Sequence, residues 1–399
     1  MARQSGVIKG VLGVVAALCL TGSALAQEPA TELPIGFVDL ADDPRYDPDY
    51  AYNFVPVRPL GPAFDGAALG VADAQQIGNV INVDFSLRRA SGAEVTELVG
   101  AIEGWVSEGI HFVLADLPGD EMLALSLAVA DLPVTLFNVS AYDDRLRGES
   151  CQFNLIHTIP SRQMLTDSVV QYLVSKNWRN ILVLQGPLAE DQAIVDALTQ
   201  SVNFFGARIV DTRSILLSND PRDRDEGNMA LVTAGANYDV AYLADADGEF
   251  ARFYAPYQAT SPRPIVGAAG LVPLAWHWSW DRAGAPQVND RFEDMHGRRM
   301  DDTDWAAWAA VRAITQGALR SQSTEYGSML EFILSDRMNL DGAKGFTMSV
   351  RPWDHQVRQV ILLSTGNAVI EFAPLEGFLH QTNDLDTLGA DERVSACQF

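Results

Sequence analysis

The residues best suited to chemistry in this chain are Trp276-His277-Trp278-Ser279-Trp280, followed at once by Asp281 and Arg282. Three indoles in five residues share one face if the segment is extended, and such a face stacks on a flat, conjugated molecule. The competing reading is a strand that packs its aromatic side into a core. Beyond the first ten residues the only lysines are Lys176 and Lys344, so a cation lining a site would be an arginine. Its planar fork suits a carboxylate better than a point charge does.

Signatures of catalysis are missing. No GxSxG elbow, Walker A sequence or GxGxxG after a strand occurs past the leader. The six histidines, His111, His157, His277, His296, His355 and His380, have no metal-ligand spacing. Asp42, Asp43, Asp47 and Asp49 lie in a Pro- and Tyr-rich loop, and Asp245-Ala246-Asp247-Gly248-Glu249 looks briefly like a calcium loop. Neither reproduces the ligand order of an EF-hand, so both read as solvated acidic loops and the chain as a non-enzyme without a metal or catalytic cofactor.

The formal net charge is -24, from 28 basic against 52 acidic residues. That balance excludes nucleic acid and anionic membrane surfaces as partners, because both are bound through clustered cations. Arg3 and Lys9, the apolar stretch from Val11 to Leu20 and the exit Ala24-Leu25-Ala26 read as an export signal over residues 1–26. In an oxidising compartment the two remaining cysteines, Cys151 and Cys397, are expected to form a disulfide; two separately buried thiols are the alternative. The bridge would tie the C-terminal tail, 377–399, back to mid-chain.

Two alternating series of strands and helices must position these groups. The first comprises strands at 35–40, 80–87, 110–115 and 134–139, with helices at 63–78, 94–108 and 119–131. A second series follows Asp143-Asp144-Arg145-Leu146-Arg147: an extended piece at 154–158, a helix capped by Ser161, and strands at 181–185, 207–212, 240–243 and 265–267. Its other helices are expected at 190–204, 227–235 and 248–258. After the tryptophans, Asp304 is expected to cap a helix from Trp305 to Leu319, followed by a helix at 326–334 and strands at 358–364 and 368–372.

This pattern predicts an α/β protein of two doubly wound parallel-sheet lobes joined by several crossings, with a ligand cleft between them. One lobe would take 27–141 and about 283–345, the other 142–282 and about 346–376. Binding groups belong at the carboxyl ends of strands, which singles out Asp116, Asn138, Tyr142, Gln185 and Asp245. Turn formation is the competing role for each. The long loop after the first strand, with Tyr46, Tyr50 and Arg58, reads as a lid or cleft wall.

The element order resembles the type I periplasmic solute-binding proteins of ABC transporters, the branched-chain amino acid receptor class. A narrower branch, associated with pyrroloquinoline quinone (PQQ)-dependent alcohol dehydrogenase systems, is similar in Asp143-Asp144-Arg145-Leu146-Arg147, Cys151, His157-Thr158-Ile159-Pro160-Ser161-Arg162, Arg263-Pro264, Gly270-Leu271 and Trp276-His277-Trp278. It is also similar in Arg291-Phe292, Arg299-Met300, Arg351-Pro352-Trp353-Asp354, Arg358-Gln359, Gly377-Phe378-Leu379-His380, Leu385-Asp386-Thr387-Leu388-Gly389 and Cys397. The resemblance implies a monomeric periplasmic receptor that captures a solute and delivers it to an inner-membrane ABC permease.

Site composition then points to PQQ as the ligand, since a flat tricarboxylate wants aromatic faces and guanidinium forks. Trp276 and Trp278 are the better candidates for the faces, with Trp280 for packing. Arg145, Arg162, Arg263 and Arg282 are the candidates for the forks. Arg162 opens a helix, where free amides and the helix dipole favour an anion. Arg145 has hinge ion pairs with Asp143 and Asp144 as its competing role. Two alternatives stay open: a receptor for another compound of the same pathway, such as an aromatic alcohol or acid or an amino acid-like solute, and an exported enzyme or redox accessory.

Overall fold

A computed structural model describes residues 29–46, 58–218 and 220–399. The expected export signal and Tyr50 lie outside these residues. The first lobe is built from β1 (Thr31–Leu40), α1 (Phe64–Ile81), β2 (Val83–Gly92), α2 (Val95–Ser107), β3 (Phe112–Asp116), α3 (Gly119–Ala128), β4 (Thr135–Asn138) and β5 (Leu155–His157). Its five strands are parallel in the order β2-β1-β3-β4-β5. Helices cover both faces, so the central strand β3 is buried throughout, as an uninterrupted apolar run in a parallel sheet requires.

The second lobe follows with α4 (Arg162–Ser175), β6 (Asn180–Gln185), α5 (Ala189–Phe205), β7 (Arg208–Ser214), α6 (Met229–Val232), β8 (Val240–Ala244) and β9 (Ile265–Gly267). These strands are also parallel, in the order β7-β6-β8-β9. Then come β10 (Val272–Leu274), α7 (Ala285–His296), α8 (Asp302–Ser321), α9 (Tyr326–Ile333), the short pair β11 (Leu340–Asp341) and β12 (Thr347–Met348), and β13 (Ile361–Ser364) and β14 (Val369–Ala373). β10, β13 and β14 form an antiparallel sheet.

The mixed α/β class with parallel sheets is as expected, but the lobe boundaries differ. β5 pairs with β4, so residues 142–157 belong with the first sheet. Ala275, Trp276 and Trp280 share a core with β1, α1 and α8, so the chain returns to the first lobe near 275 rather than 282. Strand pairing makes the first assignment and core packing the second, and periodicity reports neither.

The expected helix at 248–258 is absent. Gly248 adopts a left-handed φ of 68°, Pro256 cannot donate within a helix, and only the 3-10 turns Ala251–Phe253 and Pro256–Gln258 form. Helix α8 is capped by Asp301, not Asp304. Asp304 instead completes the capping box by accepting from the Asp301 amide at 3.0 Å. α1 and α8 approach so closely that a Cβ on Gly66 would lie 2.0 Å from the Asp304 carbonyl oxygen.

The first crossing, from β5 to α4, and the third, from β12 to β13, are zipped together. His157 donates to the His355 carbonyl at 3.0 Å and accepts from the Val357 amide at 2.8 Å. Buried Arg147 donates to Gln356 at 3.0 Å and to the carbonyls of Ala141 and Ile159. Cys151 and Cys397 form a disulfide with Cα atoms 5.5 Å apart and a sequence separation of 246. In the chain-entropy account, closing so long a loop stabilises by about 5 kcal/mol.

Candidate functional site

The carboxyl edge of the first sheet gathers Arg45, Tyr46, Asp116, Tyr142 and Arg162. Arg45 and Tyr46 belong to the 3-10 turn Pro44–Tyr46 in the loop after β1, and Asp116 is the last residue of β3. The Tyr46 hydroxyl donates to Asp116 at 2.6 Å, and the Arg45 guanidinium donates to the same carboxylate at 3.0 Å and to Asp43. Burial opposes the charge on Arg45, but the carboxylates of Asp116 and Asp43 outweigh it and keep the guanidinium protonated. Burial, then the charges of Asp302 and Asp301, push the Tyr142 phenol well above its usual range, while Arg45 and Arg162 oppose them. The phenol is therefore held neutral, chiefly by its burial.

Arg162 opens α4, and its side chain lies 3.3 Å from Asp143. The backbone amides beside it are occupied. Arg162 donates to the Tyr142 carbonyl at 2.9 Å, Gln163 to Asp144 at 2.9 Å, and Met164 to the Ser161 hydroxyl at 3.2 Å. The expectation of free amides for an anion is therefore corrected: the guanidinium is what this helix start presents. At the start of α8, Asp301 accepts from Thr303 and Asp304 and also from Leu60 at 2.6 Å. Asp302 accepts from Ala275 and Trp276, and burial pushes its carboxyl up to about 7.

The carboxyl edge of the second sheet faces this cluster. Arg58, from the loop after β1, donates to the Asp247 carbonyl and lies 3.5 Å from Glu249, just beyond the end of β8. Buried Asp245 accepts from the Ala251 amide at 2.7 Å, and burial pushes its carboxyl up to about 7. Gln185, at the end of β6, donates to Gln192 at 2.9 Å.

Several expected site residues take other places. Trp276 is 1% exposed and stacks on Trp305 with ring centroids 6.3 Å apart. Trp280 is buried against Phe372. The run forms a turn, with the Trp280 amide donating to the His277 carbonyl, so strand alternation does not apply. Trp278 alone stays half-buried, with Arg299 lying 3.6 Å over its ring. Arg263 is exposed at the amino edge of β9, the wrong end of the sheet for a cleft group. Arg282 is exposed and lies over the Trp280 ring. Arg145 pairs with Asp120. Asn138 is fully buried, holding its own turn by accepting from Ser140 and Ala141.

Arg45, Asp301 and Asp302 escaped the sequence reading. The signal for Arg45 was its place beside Tyr46 in the long loop after β1. The aspartates were hidden by placing the α8 cap three residues late. Among the described residues no group of His, Cys, Asp or Glu is arranged to hold a metal ion, and no helix is long and apolar enough to cross a membrane.

No protein-family profile matches the chain, and no curated protein matches it in sequence. Solved structures do match. A branched-chain amino acid ABC transporter periplasmic ligand-binding protein from Burkholderia xenovorans superposes with a TM-score of 0.71 at 12% identity, over 92% of this chain and 99% of that one. An amino acid ABC transporter substrate-binding protein from Pseudomonas fluorescens gives 0.68 at 12% identity, over 93% and 100%. A solute-binding protein of an ABC transporter from Rhodopseudomonas palustris, in complex with 3,4-dihydroxybenzoic acid, gives 0.62 at 11% identity, over 84% and 93%. The fold is that of the type I periplasmic binding proteins.

Proposed function

We propose that the chain is the periplasmic solute-binding component of an ABC transporter and holds a small carboxylate-bearing solute between its lobes, passing it unchanged to a permease. The cluster at the carboxyl edge of the first sheet carries this reading, because Arg45 and Tyr46 are hydrogen-bonded to Asp116 there and Arg162 opens α4 beside Tyr142 with its guanidinium on Asp143. Such a cup suits a zwitterion or a hydroxylated acid. Amino acid transport by two of the structural neighbours, and a dihydroxybenzoic acid in the third, support the same class.

PQQ is the finer reading, resting on the sequence resemblance and favoured by the rings of Tyr46 and Tyr142 in the cluster. The charge balance weighs against it. Arg45, Arg58 and Arg162 each already face a carboxylate, so a monocarboxylate can displace Asp143 at Arg162, whereas a tricarboxylate must compete with several aspartates.

Calorimetric titration of the purified protein with L-leucine, 3,4-dihydroxybenzoate and PQQ tests both readings. Saturable, equimolar binding of one of them without turnover is expected, and Arg162→Ala should weaken it at least tenfold, a loss of about 1.5–3 kcal/mol for a charge-assisted bond. No binding of any of the three would sink the carboxylate reading. Binding of PQQ alone would establish the finer one, and turnover would overturn the receptor reading altogether.

A further inference from the structure

We propose that the C-terminal tail is an interlobe strap whose length, fixed by the Cys151–Cys397 disulfide, limits how far the two lobes separate. The tail leaves β14 at Ala373, which packs in the core of the second lobe. There Leu375 and Phe378 pack into the core of α4 and α5, and the Leu375 amide donates to Gln171 at 3.1 Å. It then runs over the third crossing. Asp386, almost wholly buried, accepts from Arg351 and Arg358, each at 2.8 Å, while Arg351 also donates to the carbonyls of Leu385 and Leu388.

The tail touches both cores within four residues, since Leu385 packs in the core of the first lobe and Leu388 in that of the second. Gly389 donates to Asp167 of α4 at 2.7 Å, and Trp353 donates to the Ala390 carbonyl at 3.2 Å. The last segment ends on the first lobe. Cys397 is bonded to Cys151, just before β5 of the first sheet, and neighbouring Asn154 donates to the Ser126 carbonyl of α3. Phe399 closes the end against Phe153 and His355.

The consequence is mechanical. A chain anchored on α4 at Gly389 and covalently on the first lobe at Cys151 spans the hinge with only 390–396 between its anchors. Opening the cleft pulls these anchors apart, and the spacer can lengthen only until it is extended. The zipped first and third crossings act at the pivot, whereas the strap acts as a limit on travel.

Two variants separate this role from simple stabilisation. Cys151→Ser with Cys397→Ser cuts the strap; six Gly/Ser residues inserted after the exposed Val394 slacken it while leaving the disulfide in place. The readout is the distance distribution between spin labels at exposed positions 80 of the first lobe and 204 of the second, measured without ligand, so it does not depend on which solute the cleft takes. Both variants should shift outward and broaden relative to the parent. If the serine pair fails to fold, the insertion decides alone. An insertion variant with the parent's distribution overturns the strap, even if the serine pair opens, because the disulfide would then act only through stability.

Discussion

Trp276 and Trp278 stand two residues apart and have different roles. Trp276 stacks on Trp305, donates to Asn289 at 3.0 Å, and is sealed from solvent, so Trp276→Ala should cost about 3–5 kcal/mol of stability. Trp278 is half-buried under Arg299, and its replacement by alanine should cost only about 1 kcal/mol. Urea denaturation of both variants checks this, and equal losses would mean that the two rings are equally embedded. The sequence showed that three indoles need shelter but not which shelter. Alternation assumes an extended backbone, and the hydrogen bond that turns the chain between His277 and Trp280 cannot be read from residue types. Asp116 and Tyr142 were legible because a strand-end rule needs only the strand.

Two helices set tests at the next scale. Asp301 caps α8 and also fastens Leu60, so Asp301→Ala should lower stability by about 1–2 kcal/mol, with Asp301→Ser restoring much of it. A serine variant no better than alanine would show that the Leu60 contact dominates. In α4, burial pushes the Asp167 carboxyl up to about 7, and one of its oxygens has no partner. The folded chain then keeps a proton that the unfolded chain releases near pH 4, so this residue's contribution falls as pH rises from about 4 to about 7 and is flat above. The melting-temperature gain of Asp167→Asn over the parent should therefore widen across that window, and a constant difference would contradict the burial argument. Helix α7 went unread although its signals were present: Gly284 before it, Pro286 in its first turn, and Val288 and Phe292 one turn apart on its buried side.

For the whole molecule, a formal charge of -24 means that self-repulsion opposes the compact state. Raising sodium chloride from low to physiological ionic strength should raise the melting temperature, because screening relieves the excess repulsion more than it weakens the surface pairs. A fall would mean that ion pairs such as Arg58 with Glu249 outweigh the net charge. Alternating strand and helix signals made the architecture legible, since each element carries its own period. Lobe membership was not legible, because β5 and the segment after 275 are assigned by partners distant in sequence. That wiring bears on how the chain is made. The apolar face of α1 is covered by α8, and the core between α4 and α5 is completed by β13, so neither lobe exists as an uninterrupted stretch of polypeptide. A growing chain that has reached β5 still exposes a surface whose cover is far from being synthesised. Fragments cut at either lobe boundary should behave as sticky, half-clad pieces, and the native state becomes available only once the final strand has emerged.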